Sequence, residues 1–321
     1  QMKINTEDTM GDIKKARPAL KENTVKQYQM NLNKLKLIFD SDTYDFLSDP
    51  DKVMEKLEYL HYTSQRNMLN AIIVLLMALN ADGKFDKLLK DYGEKRDDFN
   101  SDYIESQKDG KISDKQAPNF TTTEELFNMI NRMGDDLKPI KKKETLTQKD
   151  NALLQAFILF NIYARLPMRN DVAGMEAIGK RDYNKLSAEE KKETNYLVVD
   201  KNNMFFVLNK YKTSKKYEEL KIDIPADLKK VLRYYIKVNG MGVLFTSSNG
   251  KPLTRNGLTQ LLTRYSQKYM DGKKISTTIL RKVYLSSKYS DVKDEMAKDA
   301  KMMGNSVGTQ QSVYVKKPQD D

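Results

Sequence analysis

The 321-residue chain has no cysteine and a single histidine, His61. The first absence rules out a disulfide framework and any thiolate metal site, and the second rules out a histidine-based one. His61 reads as a surface or packing residue, and the lack of cysteine is compatible with a reducing compartment. Long apolar runs are missing as well. The most apolar stretches, residues 71–79 and 152–162, fall well short of the ~20 residues a membrane-spanning helix needs. The N-terminal residues lack the apolar core of a signal peptide. The expectation is a soluble intracellular chain with no membrane partner and no cofactor.

Positive charge, by contrast, is abundant. The formal net charge is +11 and the isoelectric point about 9.3, which suits a polyanionic partner. The excess is unevenly placed. Residues 1–120 carry 19 basic and 21 acidic side chains, a balance of −2, whereas residues 121–321 carry 37 and 24, a balance of +13. The length is enough for two ordinary domains.

Within the basic half, four groups of residues stand in a telling order. Residues 152–162 form an apolar run closed by Arg165-Leu166-Pro167-Met168-Arg169-Asn170-Asp171, which reads as a buried helix ending in a turn. Residues 204–208 and 217–224 are rich in apolar, aromatic and β-favouring types and flank Lys210-Tyr211-Lys212-Thr213-Ser214, so they read as a β-hairpin. A helix predicted over 276–287 holds Thr278 and Ile279-Leu280-Arg281-Lys282. Met303-Gly304-Asn305-Ser306 follows, and Tyr314 stands nine positions after Asn305.

That order and spacing resemble the catalytic end of the tyrosine recombinase and integrase family. The Pro167-Met168-Arg169-Asn170-Asp171 context looks most like members from mobile elements and large DNA viruses. The resemblance implies that Tyr314 is the nucleophile, that Arg169 and Arg281 clamp the phosphate, and that Lys212, a lysine followed by threonine in a hairpin, is the general acid. Asp171 is the acidic residue the family keeps two positions after its first arginine; Arg165, the competing arginine, lacks one at that spacing. Two positions depart from the pattern. Thr278 stands where the family usually has histidine, and Asn305 where it has histidine or tryptophan. Neither can act as a base near neutral pH, although both can donate a hydrogen bond to a phosphate oxygen.

The chemistry explains the set. A phenol with a pKa near ~10 is a weak nucleophile, so it attacks a phosphodiester only where cations and donors stabilise the developing charge. Arginines offer fixed, planar donors for the non-bridging oxygens. A lysine on a short hairpin can reach the leaving oxygen through the minor groove.

The expected fold is mainly α with a small β-hairpin or sheet, an α+β arrangement. Residues 1–20 are polar and read as a loose arm. Residues 21–105 form a helical domain that resembles the family's core-binding, DNA-clamping domain, with helices predicted over 22–39 and 64–80. Residues 106–120 are a linker, the most linker-like part of a polar stretch over 91–119, and residues 121–321 are the catalytic domain. Inside it, helices are predicted to begin at 121 and over 225–238 and 254–269, residues 292–303 lead from the Arg281 helix to Gly304, and residues 180–200 read as a charged surface insertion.

The resemblance implies site-specific cleavage and rejoining of double-stranded DNA through a 3′-phosphotyrosyl intermediate, without metal or ATP, by a homotetramer on two sites. The setting it suggests is integration or excision of a mobile or viral element. A type IB topoisomerase-like relaxation of DNA and a non-catalytic DNA-binding protein derived from the same fold stand as alternatives.

Overall fold

The computed structural model describes residues 2–108, 112–212, 214, 219–304 and 306–311. The chain divides into two compact units, residues 1–112 and 113–321. Among the described residues no helix is long and apolar enough to cross a membrane.

The first unit is helical: α1 (Thr9–Ala16), α2 (Glu22–Ile38), α3 (Pro50–Leu57), α4 (Tyr62–Leu79) and α5 (Asp86–Lys108). Its centre is α4, whose Met68, Leu69, Ile72, Leu75 and Leu76 are buried against α1, α2 and α5. The N-terminal residues are not a loose arm. Asp8 caps α1 by accepting from the Gly11 amide, and Ile4 and Ile13 are fully buried in the core. The polar composition hid two well-placed isoleucines. His61 is exposed and caps α4, its Nδ1 accepting from the Thr63 amide. The stretch that composition marks as a linker from residue 91 is helical as far as Lys108.

The second unit begins on residues tied into it. Asn119 Oδ1 accepts from the Lys274 amide at 2.8 Å, and Gln116 Oε1 from Lys282 Nζ at 2.6 Å. Its scaffold is α6 (Thr123–Ile140), α7 (Gln148–Arg165), α10 (Ala226–Asn239), α11 (Arg255–Tyr269) and α12 (Thr277–Met302), with the short helices α8 (Lys180–Lys185) and α9 (Ala188–Glu193) between strands. Helix α7 is buried along almost its whole length and packs against α6, α10, α11 and α12, so the core forms around it. Capping boxes start α6 (Thr122 with Glu125) and α7 (Thr147 with Asp150), each satisfying amide donors that the first turn leaves free. Helix α12 runs on well past the predicted end at 287, because nothing between residues 287 and 292 is a glycine or proline.

The sheet holds β1 (Glu176–Gly179), β2 (Tyr196–Val199), β3 (Met204–Leu208), β4 (Leu220–Asp223) and β5 (Gly242–Val243) in the order β4-β3-β2-β1-β5. β1 and β2 are parallel and the other pairs antiparallel. The hairpin expected from its apolar runs is β3–β4, with Phe206 opposite Ile222. The segment read as a surface insertion is instead a crossover, β1-α8-α9-β2, that delivers a central strand. Alternation along β2 explains its place: Leu197 faces the main core, while Tyr196 and Val198 join Tyr183 and Val207 in a smaller cluster on the other face.

Candidate active site

Helix α7 ends at Arg165, and the chain then turns sharply through Pro167, with the Met168 amide donating to the Leu166 carbonyl. Residues Asn170–Val172 form a single 3-10 turn. Tyr163, buried in the last turn of α7, donates its hydroxyl to the Arg169 carbonyl at 2.8 Å. The exposed Arg169 side chain therefore starts from a backbone fixed to the core. Arg165 is otherwise engaged. Its Nε donates to Asp227 Oδ2 at 2.5 Å, its Nη1 to Asn161 Oδ1 at 2.9 Å, and its guanidinium lies over the Phe127 ring. Those contacts make Arg165 a strut between α7, α6 and α10.

Two helices close on the 169–171 turn. From α11, the Arg255 carbonyl and Thr259 Oγ1 accept from Asn170 Nδ2, and Arg255 Nη2 pairs with Asp171 Oδ1 at 3.0 Å. From α12, Thr277 Oγ1 donates to Asn170 Oδ1. Arg281, one turn further along α12, is half-buried; its Nε donates to the Thr277 carbonyl and its Nη2 to Thr278 Oγ1. Thr278 thus steadies the arginine from one turn earlier on the same helix.

Asp171 is the electrostatic centre of the group. Its carboxylate is 6% exposed, and burial pushes its pKa up from 3.8 while Arg255, Arg169 and Arg281 pull it down, Arg255 most strongly. Three guanidinium groups acting on one carboxylate leave an excess of positive charge, which suits an oxygen anion such as a phosphate. Asp150, at the start of the same helix α7, shows the opposite shift. The Lys143 ammonium, then the Thr147 amide and hydroxyl, hold it down at about 2.

The two carboxylates therefore act on stability with opposite signs. Asp150 contributes a term present above its ordinary pKa and lost as pH falls toward 2; Asp171 contributes one present below its ordinary pKa and lost as pH rises through its raised folded value. Thermal midpoints from about pH 3 to about pH 7 check this. The wild-type advantage over Asp150→Asn should grow with pH, and that over Asp171→Asn should shrink. The same trend in both would contradict the assignment.

Lys212 lies in the loop between β3 and β4, exposed, directly after the buried Tyr211. Tyr314 and Asn305 lie outside the described residues, as does Thr213. The structure thus brings Arg169, Asp171, Thr278 and Arg281 into one group, and adds Arg255, Asn170 and Thr277. Thr254 and its neighbours mark a helix start in the sequence, but nothing local tells that this start folds onto Asp171. Among the described residues no cluster of histidine, aspartate and glutamate is arranged to hold a metal ion.

No protein-family model and no curated protein matches the chain. Among solved structures it is similar to the crystal structure of XerA recombinase, at 11% identity and a TM-score of 0.36, covering 97% of this chain and 94% of that one. It is also similar to XerH site-specific recombinase bound to its difH substrate in a pre-cleavage complex, at 14% identity and a TM-score of 0.41, covering 99% and 97%.

Proposed function

We propose that this chain is a tyrosine recombinase that cuts and rejoins double-stranded DNA at specific sites through a 3′-phosphotyrosyl intermediate. The observation that carries the reading is that Arg169 and Arg281, far apart in the second unit's sequence, both act on the buried Asp171 carboxylate, with Thr277 of the Arg281 helix bonded to Asn170 in the Arg169 turn. Packing a core calls for no such gathering of cations around one turn, whereas the charge developing on a phosphorane is stabilised by fixed cations and donors.

In the reaction proposed, the Tyr314 oxygen forms a bond to phosphorus and the bond from phosphorus to the 5′ oxygen breaks. Lys212 gives its proton to the leaving 5′ oxygen, and the phenol proton passes to water, since neither Thr278 nor Asn305 is a base. Arg169 and Arg281 hold the non-bridging oxygens, with Thr278 and Asn305 as further donors, while Asp171, paired with Arg255, adds a buried counter-charge beside them. The phosphotyrosyl bond retains the energy of the bond broken, so a 5′ hydroxyl from another strand reseals it without ATP or a metal ion. Four protomers pairing two sites would make the outcome recombination, with integration or excision of a mobile or viral element as the role. One protomer per site would make it topoisomerase-like relaxation.

The test is covalent capture. Nicked duplexes carrying candidate element-end sequences lose the short 5′-hydroxyl fragment after cleavage, which traps the adduct. A protease-sensitive protein–DNA band on a denaturing gel is the expected result. DNA that the protein binds at low salt but never captures would favour the non-catalytic reading.

A further inference from the structure

Asn195 precedes β2 in the segment that the sequence presents as a surface insertion, and its side chain is 5% exposed. Its amide group is fully used. Nδ2 donates to the Asp171 carbonyl at 2.9 Å and to the Lys210 carbonyl at 3.1 Å, while Oδ1 accepts from the Asn209 amide at 2.9 Å and the Lys210 amide at 2.8 Å. A buried asparagine with both donors and both acceptor sites engaged is a fixed bracket rather than a packing residue. The bracket joins two loops directly, side chain to backbone, across the ends of the β1-β2-β3 ladders. One carries Arg169 and Asp171; the other leaves β3 and reaches Lys212 two residues after Lys210.

Neighbouring bonds reinforce the bracket. The Asn195 carbonyl accepts from the Glu176 amide at the start of β1, Thr194 Oγ1 donates to the Gly174 carbonyl, and Asn209 Nδ2 donates to the Thr194 carbonyl. Tyr211, immediately before Lys212, is buried in the main core and anchors the loop there. The backbone leading up to Lys212 is therefore held through Tyr211, while the Lys212 side chain stays exposed.

We propose that Asn195 is a positioning residue that sets Lys212 at a fixed distance from the Arg169–Asp171 turn, so that the general acid and the phosphate clamp address one phosphodiester. The proposal rests on the reading of Lys212 as the acid for the leaving 5′ oxygen. It makes the inserted strand part of the catalytic apparatus, because β2 brings Asn195 to the junction.

A substrate that needs no acid separates this role from mere stabilisation. When sulfur replaces the bridging 5′ oxygen, the leaving group is a thiolate of pKa near ~8.5, which departs without a proton. The variants are Asn195→Leu, which removes all four bonds at similar volume, and Asn195→Asp, which keeps the two acceptor contacts and guards against a leucine variant that fails to fold. Lys212→Ala and Arg169→Ala serve as references, and thermal midpoints are recorded for all. On ordinary nicked DNA the Asn195 variants should form adduct about tenfold to a hundredfold more slowly, the range a small misplacement of a reacting group produces. On sulfur-bridged DNA both Asn195 variants and Lys212→Ala should return to within about threefold of wild type, a residue of non-acid effects, while Arg169→Ala stays slow. If Lys212→Ala recovers and the Asn195 variants keep most of their loss on the sulfur substrate, the positioning role is overturned. If Lys212→Ala itself fails to recover, the acid is not Lys212, and the underlying reading of that residue falls together with the proposal. A wild type that gives no adduct on either DNA would instead sink the enzyme reading as a whole.

Discussion

Phenylalanine in place of Tyr314 is expected to abolish the covalent product while leaving DNA affinity nearly unchanged. The ring is kept and only the attacking oxygen is lost; affinity for a duplex comes from many phosphate contacts, so one hydroxyl contributes little to it. The choice of tyrosine matters because the chain has 18 of them. Tyr163 is a rival close enough to feel the charges of Asp171, Arg281 and Arg255. It is unsuited to attack. Burial, then the Asp171 carboxylate, pushes its phenol far up, and its hydroxyl is committed to the Arg169 carbonyl. Tyr235 is also buried with its phenol pushed up, and its hydroxyl donates to the Leu244 carbonyl. Gel capture paired with filter binding checks the expectation. Adduct from Tyr314→Phe at an undiminished rate would move the nucleophile to another tyrosine.

The second large effect is expected at Arg281. Its alanine variant should form adduct about a hundredfold to a thousandfold more slowly, the loss typical of removing one fixed donor from a developing oxyanion. Lysine should restore only part of this, because a point charge on a flexible stem does not reproduce a planar fork held by the Thr277 carbonyl and Thr278. Binding should weaken modestly, with the slope of log affinity against log salt reduced by about one phosphate contact. Stability should change little, since Arg281 makes no ion pair among the described residues and Arg255, not Arg281, holds the Asp171 carboxylate. Single-turnover rates at saturating protein separate the two effects. An Arg281→Ala variant as fast as wild type would remove it from the clamp.

The sequence is informative wherever a feature is local. An apolar run closed by a turn marked α7, helical spacing marked α2, and short runs of apolar, aromatic and β-favouring residues marked β3 and β4, because each depends on residues a few positions apart. Three other features depend on distant partners and were not legible. Ile4 and Ile13 look like isolated apolar residues in a polar arm until α4 supplies the surface they cover. The run Tyr196-Leu197-Val198-Val199 is strand-like by composition, yet the charged helices before it disguise a buried crossover as an excursion. Arg255 is one of many basic residues in a basic half; what singles it out is a carboxylate 84 positions earlier in the chain. The same limit applies to Asn195, since asparagine is common in exposed turns and only the fold shows all four of its bonds satisfied.

The central place of β2 bears on how the protein comes into being. β1 and β3 have no ladder between them until the crossover strand has docked, because each pairs with β2 on that side. The loops that carry Arg169 and approach Lys212 acquire their spacing in the same event. A nascent or partly melted chain can hold the arginine turn or the hairpin, but not the two in register. Under the proposed function, competence to break DNA waits for the finished sheet.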